Sequence, residues 1–167
     1  MKKILILALT ALMAVASCTK DDKTLEGRWN GAPGGSVGDN YAFCAVFKGD
    51  NLTLYVVPWG RRIEGTYTYG DNTVHFDIKK DYQAYTNVTF DGHGNMTSYS
   101  WSLQDGPDTP PNFDSKTLKL AAGYNWYEVD ANTLEDDKEL FSSFKFEIVS
   151  KGKAESDLVH NPVFIKE

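Results

Sequence analysis

Apolar and polar side chains alternate with a period of two along most of this chain. Tyr41, Phe43, Ala45 and Phe47 share one face, and Ala42, Cys44, Val46 and Lys48 the other. Leu52, Leu54 and Val56 alternate with Thr53, Tyr55 and Val57. Val74, Phe76 and Ile78 alternate with His75, Asp77 and Lys79, and Phe144, Phe146 and Ile148 with Lys145, Glu147 and Val149. Successive side chains of a strand point to opposite faces, so this rhythm predicts half-buried antiparallel strands rather than helices. The strands predicted in this way cover 26–31, 41–48, 52–57, 62–69, 73–79, 84–91, 96–103, 117–121, 124–130, 140–150 and 162–166.

The connections carry matching turn chemistry. Gly49-Asp50-Asn51, Gly70-Asp71-Asn72 and Asp91-Gly92-His93-Gly94-Asn95 each separate two strand-like runs. Gly, Asp and Asn tolerate positive φ and bond their own backbone, which closes tight hairpins. Looser connections are expected at 58–61 and 80–83. The stretch from Gln104 to Ser115 holds Pro107, Pro110 and Pro111 and reads as a long surface loop. Residues 132–139 have room for one or two helical turns. A meander of eight or more strands has edges to protect, and closure removes them. The expected fold is therefore all-β: an antiparallel up-and-down meander closed into a barrel of about eight strands, with extra C-terminal strands. An open sandwich is the alternative.

The beginning of the chain follows another pattern. Met1-Lys2-Lys3 is basic, Ile4 to Ala16 is apolar apart from Thr10, and Val15-Ala16-Ser17-Cys18 precedes the polar Thr19-Lys20-Asp21-Asp22-Lys23. A charged start, a short apolar run and small residues make a secretory signal, too short for a comfortable membrane span. Val-Ala-Ser-Cys at this place resembles the lipobox of bacterial lipoproteins. That resemblance implies a signal peptide over 1–17, acylation of Cys18, a polar acidic tether over 18–24 and one domain over 25–167. Lys20-Asp21-Asp22 is similar to the export signal of Bacteroidetes surface lipoproteins, which implies an outer-membrane lipoprotein displayed outward. An ordinary cleaved signal with Cys18 as a free thiol is the other reading. With Cys18 acylated, Cys44 would have no intrachain cysteine to pair with, and it lies in an apolar run where a small buried residue is expected.

Charge narrows the partners. There are 17 basic against 23 acidic side chains, a net of −6 that deepens when Lys2 and Lys3 leave with the leader. An acidic chain without a basic cluster argues against nucleic acid. The three histidines, His75, His93 and His160, show no metal-ligand spacing. Asp91–Asn95 lacks the spaced carboxylates of a calcium loop. There is no Gly-x-Ser-x-Gly, and the Gly-rich 34–38 lacks the Lys of a phosphate loop. The acids Asp105, Asp108 and Asp114 sit in one loop and Glu135, Asp136 and Asp137 in another, with no sequence signal that they meet. The expectation is a protein that is not an enzyme and carries no cofactor or metal.

Leu25-Glu26-Gly27-Arg28-Trp29-Asn30 opens the domain with Gly-x-Trp, and Ile63-Glu64-Gly65-Thr66-Tyr67 follows later. Both resemble lipocalin-like, or calycin-like, barrels, in which the Trp plugs the closed end and an Arg covers it. The Thr-Asp-Tyr segment of true lipocalins is absent, and no Arg is assignable to the Trp. The resemblance implies a non-enzymatic lipoprotein whose barrel holds a small, partly apolar ligand. Trp59, Arg61, Trp101, Tyr124 and Trp126 are the candidate contacts, on the expectation that a Trp in a strand-to-strand tip and an aromatic cluster near Gly123 share one mouth. The alternative is a packed barrel that binds a protein or a glycan through loops 30–40 and 104–115. Large side chains at every inward position favour the packed module; a gap lined by Ala42, Cys44 and Ala45 favours the pocket. A monomer held to the membrane through its lipid is expected in either case. Replacing the acylated thiol tests the anchor: Cys18→Ala should move the protein from the detergent-soluble membrane fraction to the aqueous one and remove the acyl mass from its N-terminal peptide.

Overall fold

The computed structural model describes residues 25–32, 43–100, 113–114 and 116–167. Its strands are β1 (Gly27–Ala32), β2 (Phe43–Lys48), β3 (Asn51–Val56), β4 (Arg61–Gly70), β5 (Thr73–Phe90), β6 (Met96–Ser100), β7 (Phe113–Asp114), β8 (Lys119–Leu120), β9 (Asn125–Glu128), β10 (Ser143–Ser150), β11 (Lys153–Ser156) and β12 (Val163–Lys166), with one helix, α1 (Ala131–Phe141), before β10. Eight of these strands bond in a ring, in the order β1-β2-β3-β4-β5-β10-β11-β12 and back to β1. Every pairing in the ring is antiparallel. The expected all-β barrel of about eight strands is therefore present.

Its strands are not the expected set. The C-terminal strands β10, β11 and β12 are barrel staves rather than extras, and β6 lies outside the ring. The reason is the length of β5. Residues 73–79 and 84–91, expected as two strands, are one strand of 18 residues. It pairs with β4 only as far as Gln83. On its other edge it takes Ser143–Lys145 of β10 near its start, Asn125–Glu128 of β9 opposite Tyr82–Tyr85, and β6 beyond that. The helix joins β9 to β10 along this same edge.

A bulge explains why the sequence looked broken at 80–83. Glu64 faces Lys80 but Gly65 faces Ile78, so Lys79 is the extra residue. The inward phase passes from Val74, Phe76 and Ile78 to Asp81 and Gln83, and a change of phase in the sequence resembles a loop. Two other expectations held at residue level. Asp71 and Asn72 have φ of 50° and 59°, as a two-residue primed hairpin requires. Asp91 Oδ1 accepts from the amides of His93 and Asn95, which closes the 91–95 turn.

The helix is longer than the expected one or two turns. Asp130 caps it, its Oδ1 accepting from the amides of Asn132 and Thr133. Its inward stripe is Leu134, Asp137 and Phe141, and an Asp at the centre of that stripe hid the helix from a hydrophobic count.

Large rings fill the barrel. Trp29, Phe43, Phe47, Tyr67, Phe76, Phe144, Phe146 and Phe164 belong to one buried cluster with Leu52, Leu54 and Ile63. Phe146 lies 5.3 Å from Trp29, 5.5 Å from Phe47 and 5.0 Å from Phe164, edge-on or tilted in each case. These are the spacings aromatic pairs prefer. Trp29 Nε1 donates to the carbonyl of Leu25, and Lys166 Nζ sits 5.3 Å from the Trp29 ring.

The bulge depends on one glycine. A Cβ on Gly65 would lie 2.1 Å from the Asp77 carbonyl oxygen, whereas one on Gly70 would meet nothing within 4 Å. Gly65→Ala should therefore cost about 3 kcal/mol, read as a lower urea midpoint. Gly70→Ala should stay within about 0.5 kcal/mol of wild type.

Candidate functional site

One end of the barrel is held by charge. Val57–Trp59 forms a single 3₁₀ turn between β3 and β4, so Trp59 folds back onto Phe141 of the helix, 6.1 Å between ring centres. The Trp59 carbonyl accepts from Gln83 Nε2 at 2.7 Å. Arg61 opens β4 on the same inward face, beside Gln83. Its guanidinium binds both Asp81 and Asp137. Asp81 is fully enclosed, and the side chains of Asp137 and Arg61 keep only 7% and 11% exposure.

One cation thus serves two carboxylates. Burial, and then the hydrogen bond and charge of Asp81, push the Asp137 carboxyl up to about 8, against the opposing pull of Arg61. Asp137 therefore holds its proton to a higher pH than an ordinary aspartate does. Paired carboxylates at this spacing suit acid–base chemistry in an open cleft. Here they are consumed in tying the helix to the barrel.

The opposite face of the same strands is a second layer. Arg62 stacks over Tyr82 at 4.3 Å and Trp126 at 5.1 Å, and Tyr55 lies 6.3 Å from Trp126. Cys44 is on this outer side, not in the barrel interior. Arg28 Nε donates to its sulfur at 3.2 Å, and burial pushes the thiol up to about 11. It is a buried thiol, and it lines no interior gap with Ala45, which points the other way into the core. The Arg28 guanidinium also donates to the carbonyl of Lys116.

The candidate contacts therefore separate. Trp59 packs at the barrel end, and Arg61 is occupied by two carboxylates. Trp126 stands on the outer face, opposite Ala84, and Tyr124 lies in the turn before the strand, its amide donating to the Ala121 carbonyl. Trp59 and Trp126 do not share a mouth. Trp101, Cys18, Ala42, the tether and most of loops 30–40 and 104–115 lie outside the described residues.

The described residues also line solvent-facing clefts, among them a shallow one of about 380 Å³ between Asn51, Thr53, Glu64 and Lys80. Another of about 670 Å³ is lined by Asp50, Thr68, His75, Asp77 and Ser142, and one of about 600 Å³ by Trp29, Ile148, Lys151 and Lys166. His75 Nδ1 is 3.3 Å from Ser143 Oγ, while Asp77 pairs with Lys79. Among the described residues no group of His, Cys, Asp and Glu is placed to hold a metal, and no helix is long and apolar enough to cross a membrane.

Comparison with protein families, curated proteins and solved structures finds no match to this chain.

Sequence reasoning passed over one surface. Beyond the barrel, Tyr85 and Tyr99 stack at 4.3 Å, Tyr127 lies 6.1 Å from Tyr85, and Phe90 lies 6.0 Å from Tyr127. Phe90 and Tyr99 are each about half exposed. The available signal was negative: β6 and the far half of β5 carry no charged residue.

The carboxylate pair gives a pH dependence of definite sign. The folded state holds on Asp137 a proton that the unfolded chain releases near its ordinary value of 3.8. The contribution is complete below about 4 and is lost as pH rises toward about 8. Urea midpoints of the wild type should fall between pH 5 and 8.5. Asp137→Asn, which cannot ionise, should flatten that fall and equal or exceed the wild type above pH 8; parallel curves would exclude a shared proton.

Proposed function

We propose that this chain is a lipid-anchored, outward-displayed binding protein without a catalytic role. In it the calycin-like barrel is a packed scaffold, and the outer surface does the binding. The observation that carries this reading is the filled interior: the inward positions of the ring hold Trp29, three or more Phe from facing strands, Tyr67 and branched aliphatics. A small partly apolar ligand would have to displace several of these rings. Displacement of close-packed side chains is costly, so the interior-ligand alternative is the weaker of the two. The calycin-like resemblance gains support from Lys166, whose ammonium over Trp29 takes the place of the covering Arg. The anchor and its outward display rest on the lipobox and on Lys20-Asp21-Asp22.

This reading leaves the ends and the outside of the barrel for partners. The Arg61 knot holds the end at Trp59, and the strands β5, β6 and β9 extend past the ring. Native mass spectrometry of the protein as the cell processes it tests the scaffold. The expected native mass is that of the acylated chain alone, unchanged after denaturation. A further mass released only on denaturation would return the ligand to the interior and sink the packed-scaffold reading.

A further inference from the structure

The sheet extension built from the far half of β5 with β6 and β9 has a composition unlike the rest of the chain. Of residues 84–90, 96–100 and 125–128, only Glu128 at the end of β9 is charged, in a chain that is 24% charged. What they present instead is a run of rings, Tyr99, Tyr85, Tyr127 and Phe90, spaced 4.3, 6.1 and 6.0 Å centre to centre. Phe90 and Tyr99 are 52% and 50% exposed. Asn125 is exposed beside Tyr85 on the same face, while the hydroxyls of Thr89, Ser98 and Thr97 bond to one another on the opposite face, 2.7 and 2.9 Å from Thr89 Oγ1.

From this juxtaposition we infer that the ring row Tyr99–Tyr85–Tyr127–Phe90 is a binding platform for a neutral oligosaccharide. The C–H face of a pyranose carries the partial positive charge that the negative face of an aromatic ring attracts. The sugar hydroxyls at its rim need neutral donors and acceptors, which the phenol groups of the row and Asn125, paired with Tyr85, supply. Charge selects the same partner. The strands of the platform carry no cation of their own, and a chain of net charge −6 repels acidic glycans and acidic peptides. Size selects it as well. A fully covered aromatic side chain buries roughly 150–250 Å², so four partly covered rings leave on the order of 400 Å² to cover. A standard protein interface buries about 800 Å² per partner, which makes the platform small for a second copy of the chain. This inference rests on the reading that the outer surface, not the interior, does the binding.

The test is isothermal titration of the full chain with cellohexaose, maltohexaose, mannohexaose and the acidic hexagalacturonate. At least one neutral hexasaccharide should bind, and hexagalacturonate should bind no tighter than it. Tyr99→Ala should weaken that binding about tenfold, while Tyr99→Phe retains it. Tyr99 is half exposed, so both variants should keep the wild-type circular dichroism and urea midpoint. The inference is overturned by silence from all three neutral probes, by equal affinity in Tyr99→Ala, or by a concentration-dependent dimer that Tyr99→Ala dissolves, since the occupant would then be a second copy. The two ideas fail separately. A bare native mass with no sugar binding removes the sugar and leaves the packed scaffold. A retained interior molecule with sugar binding removes the packed scaffold and leaves the platform.

Discussion

Gly65 lets the backbone of β4 lie against the Asp77 carbonyl at a distance that no side chain would permit. That approach accommodates Lys79 as an extra residue in β5, and one extra residue reverses which side chains of the strand face inward. Before the bulge, β5 contributes Val74, Phe76 and Ile78 to an apolar interior. After it, the strand turns Asp81 and Gln83 toward the barrel end and Ala84 toward Trp126. The polar knot, the seat of the helix and the extension past the ring all follow from this one change of phase. A β5 without the bulge would carry Lys80 and Tyr82 inward, with no acid in reach to receive Arg61.

The knot repays its desolvation through geometry. Burying Asp81 alone would cost several kcal/mol, and a guanidinium held by two carboxylates offsets that cost only if all three groups stay in place. The arrangement therefore constrains as much as it stabilises. Arg61 is fixed by β4, Asp81 by β5 and Asp137 by the helix, so the contact sets the position of the helix along the edge of β5. That edge is where β10 joins the ring, since the Ser142 carbonyl just past the helix accepts from the Phe76 amide. Closure of the barrel across a long insertion is thus tied to one buried arginine. Gln83, bonded to the Trp59 carbonyl, locks the neighbouring turn to the same strand.

These dependencies explain what the sequence disclosed and what it concealed. Period-two runs with Gly, Asp or Asn between them act locally, and β2, β3, β4 and the turns at 49–51, 71–72 and 91–95 were readable almost to the residue. The pairing of β5 with β10 joins positions nearly seventy residues apart, and nothing local encodes it. The bulge disguised one long strand as two. The helix was disguised by the same acid that anchors it, because Asp137 occupies a position where a hydrophobic count expects Leu or Phe. Arg61 was singled out for its place beside an exposed-looking Trp, yet its partners come from the far side of the bulge and from the helix. Tyr85 and Tyr99 went unnoticed because single tyrosines in strands are ordinary, and only the fold lines them up with Tyr127 of the cluster near Gly123.

Folding accounts for the rings of this protein in two unequal groups. Those inside the ring of strands, with Phe146 touching Trp29, Phe47 and Phe164, remove a large apolar area from water and hold the staves together. Those on the extension do not join that cluster. They leave Phe90 and Tyr99 half in solvent, and an uncharged Ser/Thr/Tyr strand stands at the end of the sheet order, where charge is the usual protection. An exposed aromatic row on an unguarded strand is a liability for solubility and adds little to the core. Stability therefore does not explain this row, and it is on the sheet extension rather than the filled barrel that the proposed binding rests.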